Sequence, residues 1–152
     1  MAPPPYEGVQ RRLDVYSASK TQAELESWKF MKENKPGFVM NTILPNANIG
    51  TVLSVENQGA PSTVSWIKAL WKSLEGAEDR KENPPQYYVS VQDNARVHVA
   101  ALVCKDVQDE RLFTIAYPYN WNDILVVFRK LYPERKFMDD IPNLGRDLSN
   151  SQ

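Results

Sequence analysis

The sequence is poor in the residues that build self-contained sites. Cys104 is the one cysteine and His98 the one histidine among 152 residues. A single thiol closes no internal disulfide and cannot assemble a zinc site of clustered thiolates. The expected compartment is a reducing one. Six glycines stand far apart, at Gly8, Gly37, Gly50, Gly59, Gly76 and Gly145. No glycine-rich loop of the kind that cradles phosphates can be drawn from them. Neither sign of charge dominates: 18 Lys and Arg against 19 Asp and Glu leave a formal net charge of -1. That balance argues against nucleic acid or an anionic membrane as partner. No stretch approaches the roughly 18 apolar residues of a membrane span. Met1-Ala2-Pro3-Pro4-Pro5 has no apolar run, so no secretory leader is expected, and no Asn-x-Ser/Thr acceptor occurs. The expected location is cytoplasmic.

What is present suffices for one packed domain. Hydrophobic residues make up 42% and charged residues 24%, an ordinary globular balance. Residues 1–12 are proline-rich and then charged, and read as an irregular arm. From Val15 to Glu33 helix formers dominate without proline or glycine, and Pro36-Gly37 ends the helix. Residues 38–44, Phe-Val-Met-Asn-Thr-Ile-Leu, read as a buried strand closed by Pro45. Asn46 to Gly59 reads as loop. A second helix is capped by Ser62 or Thr63 and carries Val64, Ile67, Leu70, Trp71 and Leu74 at helical spacing. Residues 75–85 read as a surface loop and 87–91 as a strand. A third helix from Asn94 to Val103 is capped by Asp93 and turns Val97, Ala100, Ala101 and Cys104 to one side. Arg111 to Ala116 reads as a strand, Trp121 to Leu131 as a fourth helix, and the tail from Lys136 as polar. Helices alternate with strands, an α/β pattern. About three strands are visible, where a doubly wound sheet has about six. The sheet is expected to be incomplete.

One short stretch can carry chemistry. Tyr16 and Lys20 stand four apart on a helix, and so on one face, one turn apart. A free phenol has a pKa of about 10, and a nearby cation favours the phenolate. Such a tyrosine can give a proton to a carbonyl oxygen as hydride reaches the carbon. On spacing alone a solvated helix face is the weightier reading of the pair.

The surrounding segments add context. Tyr16-Ser17-Ala18-Ser19-Lys20-Thr21-Gln22-Ala23-Glu24 resembles the active-site helix of extended short-chain dehydrogenases/reductases. Asn41 to Gly50 resembles the strand, proline and glycine-ended loop that follow that helix in the family. Pro84 to Asp93 and Val97 to Leu102 resemble its late strand and helix. Phe113 through Pro133 is similar to fungal and yeast carbonyl (aldehyde) reductases related to dihydroflavonol reductase. The resemblance runs in order over about residues 3 to 149.

It implies the C-terminal part of an extended short-chain dehydrogenase/reductase: a partial Rossmann-like (NAD(P)-binding) fold with a small substrate-side α/β region. Tyr16 is then the proton donor, and Lys20 its ribose-binding partner. Pro45, Asn46, Ala47 and Asn48 meet the nicotinamide end of the cofactor, and Ser62 lies near its phosphates. Residues 51–135 form the substrate side, its variable segments at 51–75 and 84–88. The implied cofactor is NADPH and the implied substrate a small aldehyde or ketone. Thr51 departs from the proline that many relatives have after the loop glycine.

The family's N-terminal βαβ half, with its Gly-x-x-Gly-x-x-Gly turn, has no counterpart here. Nor has its carbonyl-polarising Ser/Thr, because Ser17 and Ser19 point away from the Tyr16–Lys20 face. The chain is expected to be a shortened one. It ends before the last helix of its relatives, and its opening resembles an internal stretch of them.

The remaining candidates have plainer readings. His98 and Cys104 are expected to pack structurally, and Trp66, Trp71 and Trp121 to sit in the core, with Trp66 alternatively lining a substrate pocket. Glu78-Asp79 and Asp139-Asp140 read as solvated charges, and no metal cluster is visible. Two functions remain open. One is an oxidoreductase reducing a carbonyl with NADPH, completed by further polypeptide. The other is a non-redox relative: a binding module, or a cofactor-free isomerase or lyase. In either, an inner sheet edge and apolar helix faces would be exposed, calling for a homo-oligomer or a partner chain.

Overall fold

The computed structural model describes residues 8–73 and 84–149. The first element is a long helix, α1 (Gly8–Asn34). It starts inside the segment expected to be irregular. The prolines lie before Gly8, and Gln10, Arg11, Arg12 and Leu13 all favour helix, so nothing stops its extension toward the N-terminus. Apolar side chains are scattered round it, and Leu13, Val15, Tyr16, Leu25 and Phe30 are all exposed.

The strand expected over 38–44 is shorter and shifted. Strand β1 (Thr42–Pro45) begins only at Thr42. Phe38 and Val39 are exposed coil. The reason lies in Asn41, whose Nδ2 donates to the Ala101 and Val107 carbonyls at 2.8 and 3.0 Å. Its Oδ1 accepts from the Glu110 N–H at 2.9 Å. This pin sets where pairing begins. Strand β4 (Arg111–Thr114) then runs parallel to β1, from Thr42 opposite Arg111 to Pro45 opposite Thr114. Pro45, which lacks a ladder donor, is tolerated at the strand's last residue.

A second sheet follows with almost no break. Strand β2 (Ala47–Ile49) starts one residue after β1, inside the expected loop. It pairs in parallel with β3 (Gln86–Ser90), which pairs antiparallel with β5 (Tyr117–Tyr119). Only Ile115 and Ala116 separate β4 from β5, and the Ala116 N–H donates to the Tyr88 carbonyl at 2.7 Å. Among the described residues five strands are thus present in two small sheets, against the three visible in the sequence. Three-residue strands leave no period to read.

The helices cover these sheets unequally. A single turn, α2 (Val55–Gln58), interrupts the loop after β2. Helix α3 (Ser62–Lys72) has Pro61 at its cap and no side-chain cap bond. Thr63, one of the expected caps, instead donates to the Asn48 carbonyl at 2.6 Å. Helix α4 (Val91–Val103) starts three residues before the expected Asn94, because Ser90 Oγ accepts from the Asp93 N–H at 3.0 Å and takes the capping role. Helix α5 (Trp121–Leu131) falls where the sequence put it, behind a reciprocal Asn120–Asp123 capping box.

The core lies on one side of the molecule. Ala47, Leu70, Tyr119, Trp121, Leu125, Phe137 and Ile141 form one buried cluster. Trp66 and Trp71, expected in the core, are partly buried against it. The tail after α5 supplies Phe137 and Ile141, although its composition is polar. Burial pushes the Tyr119 phenol up to about 12, so it stays protonated. Cys104 and His98, expected to pack, are exposed at and beyond the outer face of α4. His98 keeps only a local contact, its Nδ1 2.8 Å from the Asn94 carbonyl. No helix among the described residues is long and apolar enough to cross a membrane.

Candidate active site

Tyr16 and Lys20 do share a face of α1. Lys20 Nζ lies 5.8 Å from the centroid of the Tyr16 ring. Tyr16 is 62% exposed and Lys20 is exposed too, so the pair opens to solvent. Ser19 Oγ donates to the Tyr16 carbonyl at 2.7 Å, which turns its hydroxyl to the backbone. Ser17 is exposed.

Helix α1 is fastened to the first sheet two turns beyond Tyr16, at Glu24. The Glu24 carboxylate accepts from Arg111 Nε at 2.8 Å and Arg111 Nη2 at 3.3 Å. Thr42 Oγ1 donates to it at 3.1 Å and Trp28 Nε1 at 3.4 Å. The Arg111 hydrogen bond holds its pKa below the usual carboxylate value, with Trp28 and Thr42 adding to the effect. Glu24 thus joins helix, β1 and β4 at one carboxylate. In the sequence Glu24 shows only as a helix former that closes the segment resembling the family's active-site helix.

The other expected site residues cluster at the junction of β1 and β2. Pro45 and Asn46 are exposed, whereas Ala47 is buried in the core cluster. The Asn48 carboxamide is engaged within the protein: its Nδ2 donates to the Asn46 carbonyl at 3.3 Å, and its Oδ1 accepts from Asn94 Nδ2 at 2.7 Å. What this segment offers a ligand is therefore its exposed Pro45 and Asn46 surface. Ser62 is exposed at the first turn of α3, and its carbonyl accepts from Ser65 Oγ at 2.6 Å. Its neighbour Thr63 reaches Asn48, so Ser62 stands beside the same junction. The segment closes on Gly50, where a Cβ would meet Val91 Cβ and Cγ2 at 3.0 Å. Any side chain here would have to push the first turn of α4 away by a few tenths of an ångström.

Asn94 was missed by the sequence reading except as a helix start. The signal was available in its spacing. Asn94, Val97 and Ala101 stand at i, i+3 and i+7, and these are the half-buried positions of α4. A carboxamide on that inner face needs partners. Among the described residues no group of three or more His, Cys, Asp and Glu could hold a metal ion.

For one end of a nicotinamide cofactor the chain offers the exposed Lys20 ammonium beside Tyr16 and the exposed Pro45 and Asn46 at the β1–β2 junction. A pyrophosphate cradle has no counterpart, since no glycine cluster exists in the chain.

The chain is homologous to fungal aldehyde reductases, ketoreductases and NAD-dependent epimerase/dehydratases. It is 44% identical over 145 residues to aldehyde reductase 2 of Sporidiobolus salmonicolor, a match covering 95% of this chain and 42% of that protein. It is 40% identical over 145 residues to the NAD-dependent epimerase/dehydratase terH of Aspergillus terreus, again across 95% of this chain and 42% of the relative. The ketoreductase adrE of Penicillium rubens is 34% identical over 121 residues. A solved SsCR variant superposes with a TM-score of 0.65 at 25% identity, covering 78% of this chain and 36% of that one. The match falls in the C-terminal part of that reductase. The architecture is therefore α/β, as expected, and corresponds to part of a reductase fold. The chain spans about two-fifths of the length of the curated relatives it matches. No protein-family model matches it.

Proposed function

We propose that this chain forms the proton-donating and substrate-side portion of an NADPH-dependent reductase acting on a small aldehyde or ketone. The observation that carries the reading is the Tyr16–Lys20 pair, one helical turn apart with the ammonium 5.8 Å from the ring, in a chain homologous to aldehyde reductases over 95% of its length. NADPH, when bound, supplies the hydride. Tyr16 Oη holds the proton that passes to the carbonyl oxygen, and the Lys20 charge stabilises the phenolate left behind. Lys20 also binds the ribose hydroxyls, while the exposed Pro45 and Asn46 border the nicotinamide ring, held in place by the buried Ala47 and the internally bonded Asn48. Ser62 lies toward the phosphates. The diphosphate itself is held by additional polypeptide, which also covers the exposed apolar side chains of α1 and α4. The implied setting is fungal carbonyl or secondary metabolism, in the cytoplasm, without nucleic acid or membrane as partner.

Mixing the full chain with the segment of aldehyde reductase 2 that the match leaves uncovered tests this. The mixture should oxidise NADPH when an aldehyde is added. Tyr16→Phe should slow that reaction by about 10²–10⁴-fold without changing the fold. Equal rates for Tyr16→Phe and the parent would sink the assignment.

A second reading rests on the exposed side chains Phe30, Leu102, Val103 and Phe113. They suit a non-redox module, or a cofactor-free isomerase or lyase, that works by docking. A folded chain that binds its partner normally but gives no NADPH oxidation with any carbonyl would favour it.

A further inference from the structure

Thr114 is the buried polar residue of the first sheet, 4% exposed on β4. Its hydroxyl donates to Asn94 Oδ1 on α4 at 3.1 Å. Asn94 Nδ2 donates in turn to Asn48 Oδ1 on β2 at 2.7 Å. Asn48 Nδ2 passes the same polarity to the Asn46 carbonyl, and the Asn48 carbonyl accepts from Thr63 on α3. One relay of side chains therefore crosses from the first sheet to the second and ends on the exposed segment between them. The far end of that segment, Gly50, is pressed against Val91 in the first turn of the same helix.

We propose that Asn94 is a positioning residue, which fixes the Pro45–Gly50 segment through Asn48 and so sets where a nicotinamide ring meets the chain. The cofactor half of this inference rests on the proposed function. Chemistry makes position 94 specific. It must accept from a hydroxyl and donate to a carboxamide oxygen at once, which a carboxamide does and neither leucine nor aspartate can. Leucine fills similar space and orphans both partners. Aspartate keeps the acceptor for Thr114 and sets a second oxygen against Asn48 Oδ1. An unmet polar group in a half-buried site is costly, so the segment should leave its place rather than stay unsatisfied. The Thr114 hydroxyl is the relay's start. Thr114→Ser keeps it, and Thr114→Val removes it at constant shape.

The test uses the full chain, isotope-labelled, with two readouts. Amide hydrogen exchange at Ala47, Asn48, Ile49 and Gly50 should quicken roughly tenfold or more in Asn94→Leu, Asn94→Asp and Thr114→Val. Exchange in α5 should not change, and Thr114→Ser should behave as the parent. Unchanged exchange in the segment, or an equal rise in α5, overturns the relay. The second readout is binding of reduced nicotinamide mononucleotide, which carries only the cofactor end assigned to this chain. Its affinity should fall with the loosening in Asn94→Leu and return in Thr114→Ser. A loosened segment with undiminished affinity overturns the positioning role. If the parent chain binds no mononucleotide, the proposed function fails and takes the cofactor half of the inference with it, while the exchange comparison still decides the relay.

Discussion

Two regions of this molecule are held together by different forces. The region of α3, α5, β2, β3, β5 and the tail contains every buried apolar residue among those described, from Ala47 to Ile141. Aromatic edges interlock there: Trp66 and Tyr119 both meet Trp121 at near right angles, with centroids 6.0 and 5.5 Å apart. The region of α1, α4, β1 and β4 buries Thr114 but, among the described residues, no apolar side chain, and leaves Leu25, Phe30, Leu102 and Phe113 open. What fastens it is polar: Asn41 with three bonds, Glu24 with Arg111, and Thr114 with Asn94. One region is a core; the other is a surface with pins. The lesson is that hydrogen bonds can fix the geometry of a layer whose apolar face is unfilled, while apolar burial decides how much a truncation there costs.

The sharpest break would come from paired truncations. Leu125 is 0% exposed, so Leu125→Ala should lose about 2–5 kcal/mol in urea unfolding. Leu102 is 85% exposed on α4, and Leu102→Ala should stay within about 0.5 kcal/mol. Equal losses would mean that the outer face of α4 is covered in solution, and the contrast between the regions would vanish. Next in size is Asn41→Leu. It orphans two carbonyls and one N–H, and should cost about 1–3 kcal/mol although no apolar contact is lost. A loss no larger than that of Leu102→Ala would show that the pins do not hold the open region.

Capping gives a smaller effect on the compact side. Asn120 Oδ1 accepts from the N–H groups of Asn122 and Asp123, and its Nδ2 donates to the Gly145 carbonyl at 2.9 Å. Asn120→Ala should cost about 1 kcal/mol, and Asn120→Asp should recover most of it in the same unfolding assay. The smallest effect is that of Glu24. Its folded pKa lies below the unfolded carboxylate value. Its stabilisation is therefore complete above the unfolded value and is lost as pH falls through the lower, folded one. The Arg111 side chain is half exposed, so the pair should be worth only about 0.2–1 kcal/mol and should weaken with salt. Glu24→Gln should flatten that acid limb. An unchanged acid limb would remove Glu24 from the set of pins.

Legibility in the sequence followed the same division. Helices α3 and α5 were readable because each lays a continuous apolar stripe on the core. Helix α1 was readable as a helix but not in its length, since a helix exposed on most sides carries no stripe to mark where it starts. Strands β2 and β5 were too short for a period, and the tail's two anchors, Phe137 and Ile141, were hidden in polar surroundings. Of the candidate site, the shared face of Tyr16 and Lys20 was legible from spacing, but its reading as a site came from the resemblance of the segments around it. The engagement of Asn48 was not, because its partners Asn94 and Thr63 lie 46 and 15 residues away and only the fold brings them there. Capping misled for a related reason. Several polar residues stood near each helix start, and tertiary demand drew Thr63 elsewhere.

The two sheets are joined end to end through two of their strands each. Asn46 alone lies between β1 and β2, and Ile115-Ala116 alone between β4 and β5. Whichever sheet forms first dictates the register of the other, because spacers of one and two residues leave no slack for slippage. The core-bearing sheet can act as the template, and closing the β1–β4 ladder then costs little more chain entropy, since its two strands are delivered from β2 and β5, on either side of β3. A layer without a core of its own thereby inherits its alignment from one that has it, and Tyr16 and Lys20 ride on that inheritance through Glu24.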